Sequence, residues 1–517
     1  MQKISSALSQ PLYSVAATRQ LEAQAAAALP PHTLMQRAGL AVARLALALA
    51  PHARCIWIAC GPGNNGGDGF EAALHLHQWG KRVVLTWTGL PEGKTRLPLD
   101  AHTSRQRALA AGVPMAEAPP ADFDVCIDAL LGMGATLDAK RPGSALMQQW
   151  LELMHASGAL RLAVDVPTGL ACDTGVASFK PATESIADSA RRTGASGLFT
   201  LSLLTLKPGL FTASGRDSAV QVWFDDLGIA PALYPGLAAP CAWLLGADKS
   251  MPSPRAHAAQ ATHKGSFGDV AIVGGESTSA SHMTGAALLA ASAALHSGAG
   301  RILVSLLGER PSLQVDTAQP EFMFRSFDAL DLKQQTVVCG CGGGEAVKSV
   351  LALVLSTATR LVLDADALNA IAVDAQLQRQ LVARQGRGYC TVLTPHPLEA
   401  ARLAGTSAAK VQVDRLETAR QLAERFACVV VLKGSGTVIA APSQPLMLNA
   451  SGNALLATAG TGDVLAGMVG ARLAGGMNGF DAACSAVFAH GHRADTWAAD
   501  KPHQALTASA LAQWQGV

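Results

Sequence analysis

The chain has 517 residues, more than a single hydrophobic core usually organises, so two domains are expected. Only 15% of residues are charged and the formal net charge is +2 with both signs interspersed, which excludes the one-sided basic field of a nucleic-acid binder and favours small-molecule chemistry. Ten cysteines without a C-x-x-C pair argue against a zinc site or a disulfide framework, and neither an apolar leader core nor a run of about 18–20 apolar residues marks a targeting or membrane segment.

In chain order, short apolar or β-branched runs with Gly-rich ends alternate with Ala/Leu-rich stretches of helical character. CIWIAC, KRVVLTWTG, FDVCIDALLG and RLAVDVPTG form a first series; DVAIVGG, RILVSLLG, TVVCGCGGG, RLVLDADAL, CTVLTPH and ACVVVLKGSGTVIA form a second. Each series predicts a parallel sheet covered by helices. Between them, from about residue 229 to about residue 262, prolines crowd and periodicity fades, so the expected domains are 1–228 and 240–517 with a linker at 229–239. The Gly-rich motifs of the two halves differ, and no internal repeat is evident.

Residues 61–70, GPGNNGGDGF, follow the first apolar run, and their first six residues fit the G-x-G-x-x-G turn of a dinucleotide-binding fold. Such a fold also carries an acid about 20 residues further on, at the end of the second strand, to hold the adenosine ribose. Here that strand ends in Trp87, Thr88 and Gly89, so a nicotinamide dehydrogenase is disfavoured. Asn64, Asn65 and Asp68 make the turn a polar floor instead. In a parallel sheet the following strand ends reach the same edge, bringing Asp128, Asp165 and Asp173 toward it. Capping of a helix or turn is the competing explanation for each of these acids alone.

NNGGDG, DALLGMG and VDVPTGLACDTG in this order, with the upstream TRQLEAQAAAALPPHTLMQRAGLAVA, resemble the NAD(P)H-hydrate epimerases. The resemblance implies a Rossmann-like, three-layer domain that interconverts the R and S forms of hydrated NADH and NADPH around a bound potassium ion. It implies potassium ligands at Asn65, Asp128 and Thr168, an oxygen-only set suited to a hard cation. It also implies substrate contacts from Asn64, Asn65, Gly66, Gly67 and Asp68, from Gly132, Met133, Gly134, Ala135, Thr136, Leu137 and Asp138, and from Asp165. Asp165 is the expected proton-transfer group, because desolvation at a strand end can bring a carboxylate toward neutrality. After Gly175 the chain departs from the family pattern until Lys207 and Pro208 restore it.

In the second half, ATAGTGDVLAGMVGARLAGG (residues 457–476) leads a Gly-rich turn straight into an apolar-periodic helix. Backbone N–H groups from Ala459 to Gly462 would face an anion at the helix's positive end. Asp463 beside that anion site suggests proton handling, with helix capping as the bland alternative. In KGSGT, Lys433 can neutralise phosphate while Gly434 and Gly436 allow close backbone approach. His396 leaves a strand between two prolines, at the edge where ligands bind.

The G-x-G-D turn resembles the ribokinase superfamily, where such an Asp activates the hydroxyl that receives a phosphoryl group. HKGSFGDVAIVGG, TGAALLAASAALHSGAG, PEFMF, LVLDADALN, LTPHPLEAARLAG, VLKGSGTVI and AGTGDVLAG, in order, narrow the similarity to the ADP-dependent NAD(P)H-hydrate dehydratases, with a ribokinase-like α/β domain. The similarity implies hydrate contacts from Ala286, Gly342, His396 and Asp463, and nucleotide contacts from Lys433, Gly434, Ser435, Gly436, Thr437 and Gly462. Asp364 and Asn369 are expected to support the same pocket, through magnesium or structurally. GCGGGE departs from the family's usual G-P-G-L-G.

The two halves together resemble a bifunctional NAD(P)H-hydrate repair enzyme acting on hydrated NADH/NADPH with ADP as cosubstrate, potassium in the first site and magnesium in the second. A cytoplasmic homo-oligomer without nucleic-acid or membrane partners is the expected setting. The rivals are a small-molecule kinase with an accessory N-terminal domain and a non-catalytic cofactor sensor. The coexistence of Asp165, Lys433 and Asp463 argues against the sensor.

Overall fold

The computed structural model describes residues 1–90, 96–134, 137–138, 143–179, 197–229, 236, 239–250, 260–279, 281–308 and 313–513. The chain divides into two compact units, one of Met1–Ser5 with Pro11–Ala242 and one of Ser6–Gln10 with Trp243–Val517. Most of the expected linker at 229–239 lies outside the described residues. Among the described residues no helix is long and apolar enough to cross a membrane.

In the first unit the sheet runs Gln2–Lys3, Gln221–Asp225, Leu198–Leu203, Leu160–Val164, Val125–Ala129, Cys55–Cys60, Arg82–Trp87, Met115–Ala116. Every pairing is parallel except that of Gln2–Lys3 with Gln221–Asp225. Cys55–Cys60 is buried at every position, as a central parallel strand covered on both faces requires. One apolar layer gathers Leu21, Val42, Leu45, Phe70 and Leu76 on the sheet; the opposite layer gathers Trp57, Trp150, Leu151 and Met154. Strand order reverses between Cys55–Cys60 and Val125–Ala129, the position where open α/β sheets bind ligands.

The helix Asn64–Gln78 begins inside the Gly-rich motif, so NNGGDG is its first turns and not a free loop. A Cβ on Gly66 would collide with the Gly61 carbonyl, and one on Gly69 would lie 2.6 Å from the Ala129 Cβ. These glycines seat the helix on the sheet, which answers the dinucleotide-turn question in favour of packing.

In the second unit the strands run Met323–Phe324, Arg301–Gly308, Asp269–Ser277, Thr336–Cys339, Arg360–Leu363, Cys390–Leu393, Val429–Leu432, Thr437–Ala440, Met447–Asn449. Pairing is parallel as far as Val429–Leu432 and antiparallel in the following hairpin. Order reverses between Asp269–Ser277 and Thr336–Cys339. The helix Thr461–Ala474 lies over this sheet, with Gly470 against Val338 and Gly467 so close to the Ala290 carbonyl that a Cβ would not fit.

Candidate active sites

Four neighbouring strands of the first sheet deliver one cluster from their carboxyl ends. Asn65, buried at the start of its helix, has its amide oxygen 3.1 Å from where a Cβ on Gly132 would stand, and its Nδ2 has no partner among the described residues. The Thr168 hydroxyl donates to Asp128 Oδ1 at 2.7 Å and the Thr168 N–H to Oδ2 at 3.0 Å. Asp128 is 3% exposed, and burial raises its carboxyl pKa.

Asp165, one residue past Leu160–Val164, has φ +65°, a left-handed conformation costing a non-glycine residue about 1–3 kcal/mol. It is held there by its N–H donating to Leu201 O at 2.8 Å, by the Leu203 N–H donating to Oδ1 at 3.1 Å, and by an ion pair with buried Lys207. Lys207 also donates to Leu203 O at 2.8 Å. The Asp68 carboxyl is pushed well above its usual range by burial and by the charges of Asp165, Glu22 and Glu71, and Glu22 is raised in the same way by burial and Asp165.

Other expected members of this site divide. Gly134 meets the Arg19 guanidinium, whereas Leu137 is 5% exposed in the apolar layer of Trp57 and Trp150. Ala135 and Thr136 lie outside the described residues. Asp173 stands apart: its Oδ1 accepts from the Val15 N–H at 2.9 Å, at the start of the helix Val15–Ala28.

The second cluster also comes from four adjacent strand ends. Gly342, Asp364, His396 and Lys433 follow Thr336–Cys339, Arg360–Leu363, Cys390–Leu393 and Val429–Leu432 in sheet order. Gly342 has φ +57°, and a Cβ there would lie 2.9 Å from the Ala286 Cβ, so these two residues share a wall. Lys433 Nζ donates to Asp364 Oδ1 at 2.7 Å and lies 4.0 Å from Glu399 Oε2. Burial alone would lower this ammonium's pKa, but Asp364 and Glu399 outweigh it and hold it above the usual lysine value.

Gly460 starts the helix Thr461–Ala474 at φ +89°, and Gly462 sits so that a Cβ would be 3.2 Å from Lys433 Nζ. Asp463, Asp364 and Cys341 bring a ligand atom each within 4.8 Å of one another. Burial, then the Asp364 charge, pushes the Asp463 carboxyl up to about 7, against the Cys341 hydrogen bond and Lys433. A carboxyl poised there can take a proton near neutral pH.

Asn369 takes the structural one of its two expected roles. Its Oδ1 accepts from Arg402 Nη1 at 2.6 Å, tying Ala365–Val373 to Pro397–Ala404, the helix that His396 caps, while Asp364 bonds Lys433 directly.

Three supporting residues carry no motif. Arg415, 1% exposed, donates to the carbonyls of Leu432 and Lys433 at 3.2 Å and of Gly436 at 3.3 Å, so the KGSGT turn wraps its guanidinium. Gly434, at φ +136°, would put a Cβ 2.9 Å from Arg415 Nη1. His490, whose pKa burial lowers to about 4, donates from Nε2 to the Thr461 carbonyl at 2.9 Å and fixes the start of the anion-facing helix. Glu399, 4% exposed, closes a capping box with His396. Only the E three residues after His396 carried a signal in the sequence.

A parallel sheet whose switch point gathers Asn65, Asp128 and Thr168, and a second that brings a lysine and two carboxylates to a Gly turn at a helix N-terminus, define an α/β chain with two candidate active sites. Residues 31–209 match the family described as YjeF-related protein N-terminus, and residues 270–515 match NAD(P)H-hydrate dehydratase. The bifunctional NAD(P)H-hydrate repair enzyme Nnr of Escherichia coli (strain K12) is 34% identical over 489 residues, covering 90% of this chain and 85% of that protein. The ADP-dependent (S)-NAD(P)H-hydrate dehydratase of Neisseria meningitidis serogroup B is 43% identical over 243 residues, 46% of this chain and 79% of that protein. A solved structure of the ADP/ATP-dependent NAD(P)H-hydrate dehydratase from Bacillus subtilis is 30% identical, covers 51% of this chain and 91% of that chain, and has a TM-score of 0.42. The chain belongs to the bifunctional NAD(P)H-hydrate repair enzymes.

Proposed function

We propose that the two units divide the repair: the first interconverts the R and S hydrates of NADH and NADPH, and the second dehydrates the S form at the expense of ADP, giving NAD(P)H, AMP and phosphate. The observation that carries this reading is the second cluster, where Lys433, bonded to Asp364, and Asp463, with a carboxyl near 7, meet at the start of Thr461–Ala474. Direct loss of water from the hydrated ring is poor because hydroxide leaves badly. Asp463 takes the proton of the hydrate's hydroxyl as that oxygen bonds to the terminal phosphorus of ADP and AMP departs. The phosphate ester then leaves as inorganic phosphate, and loss of a ring proton restores the double bond. Lys433 and the N–H groups of Ala459 to Gly462 offset the phosphoryl charge, Gly434, Ser435, Gly436 and Thr437 line the nucleotide, and Ala286, Gly342 and His396 line the hydrate.

In the first site, Asp165 is the proposed proton acceptor, oriented by Lys207, and Asp68 the matching donor, its carboxyl pushed well above its usual range by burial and its acidic neighbours. Asn64, Gly66, Gly67, Gly132, Met133, Gly134 and Asp138 would surround the ring. Potassium fits Asn65, Asp128 and Thr168: all three are buried and offer side-chain oxygens, and the desolvated Asp128 carboxylate gains from a cation. The ion would supply fixed positive charge there. Magnesium does not fit Asp364 with Asn369, because Arg402 holds Asn369 and Lys433 holds Asp364; it would enter on the nucleotide's phosphates.

Ten free cysteines suit a reducing, cytoplasmic setting. A homo-oligomer completes the reading, and light scattering of the full chain tests it. For the chemistry, the protein is incubated with hydrated NADH and ADP while nicotinamide absorbance and AMP are followed. Matched recovery of both is expected; a stable phosphorylated product would point to a kinase instead.

A further inference from the structure

Glu399 touches both halves of the second site. Its Oε2 accepts the His396 N–H at 2.8 Å and stands 4.0 Å from Lys433 Nζ, while Oε1 lies 3.2 Å from His396 Nε2. His396 Nδ1 is occupied on its other side, accepting the N–H groups of Leu398 at 3.1 Å and Glu399 at 3.3 Å. That leaves Nε2 as the ring's N–H, aimed at Oε1. The ring itself is half exposed at the strand exit, and the carboxylate beneath it fixes its Nε2 side as the two backbone N–H groups fix Nδ1. Lys433 meanwhile has two carboxylates, Asp364 and Glu399, around a single positive charge.

We propose that Glu399 is a positioning residue for the dehydration, coupling the two subsites: one buried carboxylate orients His396 toward the hydrate and restrains Lys433 until a nucleotide diphosphate draws it away. This rests on the reading that His396 faces the hydrate and Lys433 the nucleotide. The opposing charge demands set the signs. A buried anion next to the phosphate subsite weakens nucleotide binding, whereas the same anion improves the geometry of the hydrate subsite. A residue kept only for capping would carry no such opposition, because Gln caps at this helix position as well as Glu does.

The test is Glu399→Gln in the full chain, assayed with ADP and the S hydrate at about pH 8.5, where a carboxyl pushed up to about 7 by burial is ionised in the unchanged protein. Glu399→Gln is expected to lower the ADP Kd, measured by calorimetry without hydrate, by about threefold, and to lower kcat by about tenfold. Glu399→Asp keeps the charge but not the reach to His396. It should keep the ADP Kd of the unchanged protein while losing kcat to a similar degree, and it also serves if the Gln variant does not fold. Weaker ADP binding in Glu399→Gln, or unchanged kcat in both variants, would overturn the coupling. If the unchanged protein forms no AMP from ADP and hydrate, the functional reading fails instead, and that control is read before either variant.

Discussion

Lys207 and Lys433 stand at equivalent places, each past the end of the fourth of four adjacent parallel strands and each paired with an Asp two strands or fewer away. Their surroundings differ. The Lys207 side chain is 0% exposed, bonded to Asp165 and to the Leu203 carbonyl, so it has no face left for a ligand. The Lys433 side chain is 18% exposed beside a helix N-terminus. The same scaffold therefore yields a cation that orients a carboxylate in one unit and a cation that can meet a phosphate in the other. What separates the two chemistries is access to the lysine, not the presence of a lysine–aspartate pair.

If that contrast is right, the base of the second site can be removed without touching the first. Asp463→Asn should reduce dehydration by about 10² or more, leave ADP affinity within about twofold, and leave interconversion of R and S unchanged. Near-normal AMP formation in that variant would remove Asp463 from the chemistry. The converse cut is Asp128→Ala, or exchange of potassium for lithium, which should slow epimerisation by about tenfold or more while sparing ADP binding. A cation-independent epimerisation rate would contradict the ligand assignment.

The pH profile sharpens the contrast further. Asp463 and Glu399 both have carboxyls raised to about 7 by burial, and both act as anions. Dehydration should therefore be level above that range and fall by well over tenfold, approaching about 10², one unit below it, the apparent midpoint belonging to the pair. A rate that rises on acidification would contradict the base role. The smallest expected effect is that of Gly434→Ala, which forces φ +136° on an alanine against Arg415. It should raise the ADP KM by about threefold and destabilise the second unit by about 1–3 kcal/mol in thermal unfolding.

The strand ends of both sites were legible because a central parallel strand is an unbroken apolar run, and the first polar residue after it must stand at the sheet edge. Asp165 was found this way and His396 from its place just past such a strand, whereas Lys433 and Asp364 came from the KGSGT and DADALN motifs. The partners were not legible. Lys207 is 42 residues from Asp165, and Arg415 reaches Lys433 across 18 residues from the buried face of a helix whose pattern reads as an ordinary amphipathic one. Glu399 looked like a helix-start acid, which it also is. Arg402, the partner of Asn369, lies 33 residues on in the helix that His396 caps, and nothing in DADALN announces it. In NNGGDG two demands overlap, since glycines needed for a helix to lie close on a sheet spell the same letters as glycines needed at a pyrophosphate, and the missing acid at the end of the Trp87 strand told them apart.

The division of labour between the units is tested most directly by resolving the two hydrates chromatographically while full-length Asp165→Asn consumes a mixture of them with ADP. The account predicts that S disappears at the rate of the unchanged protein while R persists, decaying only as fast as it epimerises spontaneously. Loss of R as fast as with the unchanged protein would contradict the assignment of epimerisation to the first unit's Asp165–Lys207 site.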